Sequence, residues 1–375
     1  MSIFGGFMSA VVGFSLVLNS FALPYNSDKR IVDYVELGVP SMQSFEVDTA
    51  SRCPWDMILF DNKLYVGGGD YGDDTGPVDI WAYDLTKECW ENTGNVPDEE
   101  VDRFAVIDGQ LIDPGIDPKD DWSLGNYYIK TDNGWETVRT IPNGIHNFDM
   151  VEYDGKLFAG IGVISGSYPV VCSEDKGKTF YQIPFERNGG EVDTSKWSVV
   201  RVYDFLFLNG DMYVFLPNSD DHTYDAYKYI DGKFVFDNEC IKKVFRKSFS
   251  HRSMSANYYI DGRLYLTFGI LYSTDNMNDF LKIKIFEKGI VYDLCEYKGR
   301  LYALYGEAND DGTYNTSVWV KKKGETDEFI KLFEFNYDIP PVSFVCNGKD
   351  YYIGMGKIDE ENSKNGMILF VDIFK

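Results

Sequence analysis

The chain has 375 residues, with 36 Lys and Arg against 60 Asp and Glu, for a formal charge of −24. That balance argues against a nucleic-acid binder and against docking on an anionic membrane, since both need a basic surface. Tyr and Phe number 27 each, enough large apolar surface to build a core, and only 3 His speak against a multi-His metal site.

From the N-terminus, residues Ile3 to Ala22 carry no charge, and the first charged side chain is Asp28. Ser20 and Ala22 stand at the −3 and −1 positions of a signal-peptidase site, but no Lys or Arg precedes the apolar run. Residues 1–22 therefore read as a secretory signal peptide or as an N-terminal assembly arm. A transmembrane anchor suits the run less well, because it is rich in Gly and Ser and lacks charged flanks.

Arg30 to Leu37 reads as an orphan strand. After it one pattern recurs: an apolar strand, a two-residue turn, then a second strand of Leu-Tyr character. The turns begin at Asp61, Asp108, Asp154, Asn209, Asp261, Lys298 and Asn347, between 37 and 55 residues apart. Asp-Gly and Asn-Gly favour type I′ turns, which need positive φ at both central residues. Each copy predicts a tight hairpin with room for two more strands, such as Tyr168–Ser173 and Phe180–Pro184. Four strands per unit, seven times, predicts an all-β fold: a seven-bladed β-propeller of four-stranded antiparallel blades. The last unit runs out after about three strands, so the orphan N-terminal strand is expected to close the ring. Length alone suggests two or three domains, but the repeat predicts one over residues 23–375.

Ser173-Glu174-Asp175-Lys176-Gly177-Lys178-Thr179-Phe180 matches the pattern S-x-D-x-G-x-T-W/F. Ser273 to Phe280 is a weaker copy, and Thr131-Asp132-Asn133-Gly134-Trp135 a shortened one. The stretch Tyr83 to Trp90 has the Y-D-…-W turn of kelch repeats. These segments resemble the Asp-box (BNR) repeats of sialidase-like propellers and the kelch-like propellers. The resemblance implies the propeller fold and, at the axial pocket, a sialidase-like or other glycoside hydrolase. In sialidases three arginines bind a carboxylate, a Tyr–Glu pair is the nucleophile and an Asp is the acid/base. No Arg-Ile-Pro strand opening of that family occurs here, and seven units depart from its six blades.

Five residues before each turn stand Asp56, Arg103, Asp149, Asp204, Ala256, Asp293 and Val342. Two readings follow for the four Asp. Each can bond backbone amides of the neighbouring blade, or together they can ring the axial channel with carboxylates for a cation, a polyol or a sugar. Asp149 and Asp204 are the candidate catalytic pair, if they lie about 5–9 Å apart as glycoside hydrolysis requires. His146 and Arg201 fall eight residues before their turns, and His251 and Arg252 precede the fifth unit, so all four are candidate ligand contacts at the axial rim. Further acids (Asp70, Asp73, Asp74, Asp117, Asp120, Asp121, Asp220, Asp221, Asp310, Asp311, Asp359, Glu360, Glu361) fall in loops after the second strands. They offer the hard oxygen donors that calcium uses, but no EF-hand loop is present and no cofactor is expected.

Cys172, Cys295 and Cys346 lie inside predicted strands and read as core thiols, and no CxxC suggests zinc or redox chemistry. The leading expectation is a non-catalytic binding or scaffold protein, secreted or on a particle surface, whose acidic face meets a protein partner or a glycan. A glycoside hydrolase is the alternative, and a virion or cell-surface structural component a third.

Overall fold

The computed structural model describes residues 31–43, 50–70, 72, 75–119, 123–164, 166–196, 199–218, 223–238, 256–324, 327–357 and 362–373. The Ile3–Ala22 run, His251 and Arg252 lie outside these residues.

The turn chemistry places the strands. Asp61-Asn62, Asp108-Gly109, Asp154-Gly155, Asn209-Gly210, Asp261-Gly262 and Lys298-Gly299 all have positive φ at both residues. That is the type I′ geometry, whose twist matches the strands it joins. The seventh turn differs. Asn347 has no positive φ; Gly348 has one of +89°, and Cys346 pairs with Tyr351. The central residues are thus Gly348 and Lys349, with the φ pattern of a type II′ turn, one residue later than the sequence pattern indicates.

Seven antiparallel sheets result, arranged as a β-propeller. Blade 1 runs Met57–Phe60, Lys63–Val66, Val78–Asp84 and Cys89–Val96. Blade 2 runs Ala105–Ile107, Gln110–Pro114, Leu124–Thr131 and Gly134–Pro142. Blade 3 runs His146–Tyr153, Lys156–Ile164, Val170–Ser173 and Tyr181–Gln182. Blade 4 runs Phe205–Leu208, Asp211–Asn218, Thr223–Ile230 and Lys233–Asn238, and its outer edge is extended in parallel by Phe185–Arg187. Blade 5 runs Asn257–Ile260, Arg263–Thr267, Leu271–Thr274 and Leu281–Lys282. Blade 6 runs Ile290–Tyr297, Arg300–Ala308, Tyr314–Lys321 and Phe329–Tyr337. Blade 7 supplies only Pro341–Cys346, Asp350–Met355 and Met367–Asp372 from the C-terminal end.

Its fourth strand is Val35–Gly38, antiparallel to Met367–Asp372. The closing strand is therefore shorter than the Arg30–Leu37 stretch. Upstream of it, Ile31 bridges Glu334 on blade 6, and the Tyr34 ring sits 5.1 Å from that of Phe335. Tyr337 donates to Glu36 at 2.9 Å, and Trp90 of blade 1 donates its indole N–H to the Leu37 carbonyl at 2.8 Å. One short segment thus joins blades 6, 7 and 1.

The core lies in the seams between blades. Tyr65 and Val78 of blade 1 bury against Leu111 and Tyr128 of blade 2. Phe158 of blade 3 packs with Phe205 and Met212 of blade 4, and Phe333 of blade 6 with Tyr351 and Ile353 of blade 7. Strict alternation makes this possible: Val78, Ile80, Ala82 and Asp84 are buried while Asp79, Trp81 and Tyr83 are less so.

The turn Ser173–Phe180 holds its shape locally. Asp175 accepts from the Thr179 amide (2.9 Å) and hydroxyl (2.7 Å), and Ser173 Oγ accepts from the Gly177 amide at 2.8 Å. In the weaker copy the bonds shift by one residue. Thr274 Oγ1 accepts from the Met277 amide at 3.1 Å, while Asp275 turns to Arg263, 3.0 Å away.

Candidate functional site: the axial ring

The antiparallel registers put the start of every inner strand and the end of every second strand on one face, as Met57 with Val66 and Phe205 with Val214 show. The residue five before each hairpin turn is Asp56, Arg103, Asp149, Asp204, Ala256 and Asp293 in blades 1 to 6, at or near the entrance of the inner strand. In blade 7 it is Ser343 rather than Val342, because the turn falls one residue later.

Three of the Asp make inter-blade bonds. Asp56 accepts from its neighbour Met57 at 2.8 Å and from Phe104 of blade 2 at 2.7 Å. Asp293 accepts from Leu294 at 2.7 Å and from Phe344 of blade 7 at 2.8 Å. Asp149 accepts from Phe205 of blade 4 at 2.9 Å. Ser343 donates to the Pro54 carbonyl, tying blade 7 to blade 1. In blades 3 and 6 a β-bulge immediately precedes the Asp and aims it at the next blade.

Arg103 occupies the Asp position of blade 2 and reverses the sign of the charge there. Its Nη1 lies 2.6 Å from Asp204 Oδ1 and 3.3 Å from Asp149 Oδ2. Those two oxygens are thus within about 6 Å of each other, near the separation of a retaining glycosidase pair, but one guanidinium bridges them. Burial alone works against the charge of Arg103, yet Asp204, Asp149 and Asp102 hold it protonated well above its usual range. Burial lifts Asp204 to about 6 against the pull of Arg103. Asp56 is also lifted to about 6 by burial, and Asp293 is pushed far above the carboxylate range by burial and then by Asp56.

An axial cavity of about 560 Å³ runs from this ring down to the turns. Its lining includes Asp102 and the ring residues Asp56, Arg103, Asp149 and Asp293, together with Tyr258, Cys295, Cys346 and Asn347.

His146 and Arg201 meet in a second polar cluster outside that cavity. His146 stacks on Phe148 with ring centroids 5.3 Å apart, and its Nδ1 is 4.0 Å from Asp117. Arg201 lies over Phe148 at 5.7 Å and donates to the Tyr203 hydroxyl at 3.4 Å. Beside them Lys119 reaches Glu99 at 3.0 Å, and burial, then Asp117, raises Glu99 to about 7. Asp149 lines the axial cavity, and His146 and Arg201 are not among its lining residues. Among the described residues, no three His, Cys, Asp or Glu side chains are grouped to hold a metal ion.

Two features lie outside the sequence reading. Asp113 is fully buried on the second strand of blade 2, with no hydrogen-bond partner at either carboxyl oxygen. Burial, then Asp98 and Asp102, pushes it well above the carboxylate range. Aligning the second strands was a signal for it: the matching residues are Val66, Ala159, Val214, Leu266, Ala303 and Ile353, all apolar. Close by, Asp98 accepts from the Tyr128 hydroxyl and from Asn126. The second feature is the approach of Cys295 to Cys346, for which spacing gave no signal.

No protein-family model matches the chain, and no curated protein matches it in sequence. Solved structures do. A chain of a mitotic checkpoint complex is 9% identical over 97% of this chain and 99% of that one, with a TM-score of 0.53. A puromycin-hydrolyzing peptidase of Mycobacterium tuberculosis is 11% identical over 88% of this chain and 53% of its own, with a TM-score of 0.51. The β-propeller domain of the Trilobed protease from Pyrococcus furiosus is 12% identical over 80% and 90%, with a TM-score of 0.46. At such identities the likeness is one of fold alone. No helix among the described residues is long and apolar enough to cross a membrane.

Proposed function

We propose that the protein is a non-catalytic binding propeller whose acidic strand-entrance face engages a partner carrying positive charge, most simply a basic segment of another protein. One observation carries this reading: Asp149 and Asp204, the carboxylates best placed for acid–base chemistry, are bridged by the half-buried Arg103. An acid/base pair needs a reacting bond between its carboxyls, and here a guanidinium occupies that place. Of the remaining ring carboxylates, Asp56 and Asp293 spend both oxygens on backbone amides. Outside the ring, the loops on the same face carry exposed acids such as Asp310 and Asp311. A surface of this sign steers and orients a cationic partner. We further propose secretion, on the uncharged Ile3–Ala22 run with its small residues at Ser20 and Ala22.

Fluorescence anisotropy with labelled decapeptides tests the binding reading. A lysine-rich peptide is expected to bind, more weakly as salt rises, and a glutamate-rich one to remain free. Replacing both Asp310 and Asp311 by Asn is expected to weaken the complex without changing the unfolding midpoint. Equal signals from the two peptides would sink the proposal.

A glycoside hydrolase is the second reading, favoured by the approach of Asp149 and Asp204 to within about 6 Å. It requires Arg103 to bind a substrate carboxylate or to swing out of the ring. Such a glycan ligand is separable from a peptide by the hydrolysis measurement that closes the Discussion.

A further inference from the structure

Cys295 sits on the inner strand of blade 6, and Cys346 ends that of blade 7. Their sulfurs are 3.8 Å apart, and both side chains are buried. The seam between these strands is pinned by the Asp293 carboxylate on the Phe344 amide, so the two thiols are held in register. Both line the axial cavity. The other described cysteines are placed differently: Cys53 and Cys172 are buried in blades 1 and 3 or beside them, and Cys89 is exposed on the edge of blade 1.

We propose that Cys295 and Cys346 form a redox-controlled disulfide that covalently joins blade 6 to blade 7. A disulfide needs its sulfurs at about 2.05 Å, so closure asks for an approach of under 2 Å. That movement is within the reach of side-chain rotation at two strand positions facing one channel. The oxidant is a small organic disulfide, RSSR, which the cavity of about 560 Å³ admits. One cysteine, as thiolate, attacks RSSR and releases one RSH, leaving a mixed disulfide on the chain. The second cysteine then displaces the other RSH. Two protein thiols are oxidised, RSSR is reduced to two RSH, and the thiol protons end on the leaving groups. The S–H contact with Cys346 and burial keep Cys295 protonated to well above its usual range, so the reaction quickens as pH rises.

The position gives the bond a consequence. Blade 7 is the composite blade, completed by the N-terminal strand Val35–Gly38. Tying its inner strand to blade 6 holds it in the ring even when that strand frays. The bond acts as a second closure, made only where the surroundings are oxidising.

The full-length folded protein is incubated with 2-hydroxyethyl disulfide at pH 8.5, and remaining thiols are then blocked under denaturing conditions. Non-reducing peptide mapping by mass spectrometry is expected to find the Cys295 and Cys346 peptides joined and two hydrogens lighter. The oxidised wild type is expected to unfold at a higher temperature than the reduced, and a reductant to reverse the shift. In Cys295→Ser, Cys346 is expected to remain a thiol or a mixed disulfide, and the shift to vanish. The proposal is overturned if both cysteines stay separately alkylated or mixed, if either pairs with another cysteine, or if oxidised and reduced wild type melt together. The wild-type comparison stands even if Cys295→Ser fails to fold.

Discussion

Arg103 shows how one side chain decides what a ring of acids does. With it in place, the buried Asp149 and Asp204 are ionic partners of one half-buried guanidinium. Replacing it by Met leaves two buried carboxylates without their cation and should cost about 3–5 kcal/mol in urea unfolding. Asp56→Ala strips the Phe104 amide of its acceptor and should cost about 1–3 kcal/mol. Asp56→Asn keeps an acceptor for one of the two amides, Met57 or Phe104, and removes a charge, so it should cost less than Asp56→Ala, and least above pH 6. The repeat spacing made the ring legible, down to the arginine that interrupts it, but not the seventh member. A type II′ turn at Gly348 moves that role from Val342 to Ser343, and apolar alternation alone does not fix a turn to the residue. Nor could spacing show which of the two readings of the Asp residues holds, because that depends on which atoms face them.

The same residues set a pH dependence. Burial lifts Asp56 and Asp204 to about 6 in the folded chain from an ordinary 3.8, and pushes Asp113 well above that ordinary value. The folded state therefore holds more protons than the unfolded one above pH 4, and these groups lose stability as pH rises from about 4 through 6 and beyond. Asp84, held down to about 2 by the Lys87 ammonium and then by turn amides, and Asp175, held to about 2 by the Thr179 hydroxyl and amide, act oppositely and lose stability as pH falls below 4. Thermal unfolding followed by circular dichroism should show its highest midpoint near pH 4–5, with a falling limb towards pH 8. Asp113→Asn should flatten that limb. A midpoint that climbs steadily from pH 5 to 8 would refute the assignment.

Elements are held by turn chemistry that the sequence displays openly. Gly177 has φ of +83°, and a Cβ there would stand 2.1 Å from the Tyr127 hydroxyl oxygen. Gly210 has nearly the same φ, +85°, with nothing within 4 Å. Both alanine variants carry the backbone strain, expected to exceed about 1 kcal/mol, but only Gly177→Ala adds a clash. Gly177→Ala should therefore lower the urea midpoint further, and equal effects would show that the clash is relieved without cost. The strand count was legible for the same reason, since six of the seven turns carry the residues that type I′ geometry needs. The parallel extension of blade 4 by Phe185–Arg187 was not. A three-residue segment after a strand carries no mark of which sheet it will join, and here Phe185 packs on Phe234, 5.0 Å between centroids.

For the whole molecule, closure is the weak point and the acidic face the exposed one. Residues 31–38 touch blades 6, 7 and 1, and their removal bares the edge strand Met367–Asp372. A chain lacking them should unfold at lower temperature and elute as larger species in size-exclusion chromatography, because an unpaired edge recruits other strands. The surplus charge of −24 lies in part on the strand-entrance face, where the ring acids are consumed internally and Asp310 and Asp311 stand exposed in a loop of blade 6. The account stands or falls on whether the axial carboxylates hold the ring or do chemistry. A panel of fluorogenic glycosides, sialosides included, tested on wild type and on Asp149→Asn and Asp204→Asn, decides this. Release at the rate of the protein-free blank is expected in all three. Release by wild type that disappears in either variant, with its circular dichroism spectrum unchanged, would contradict it.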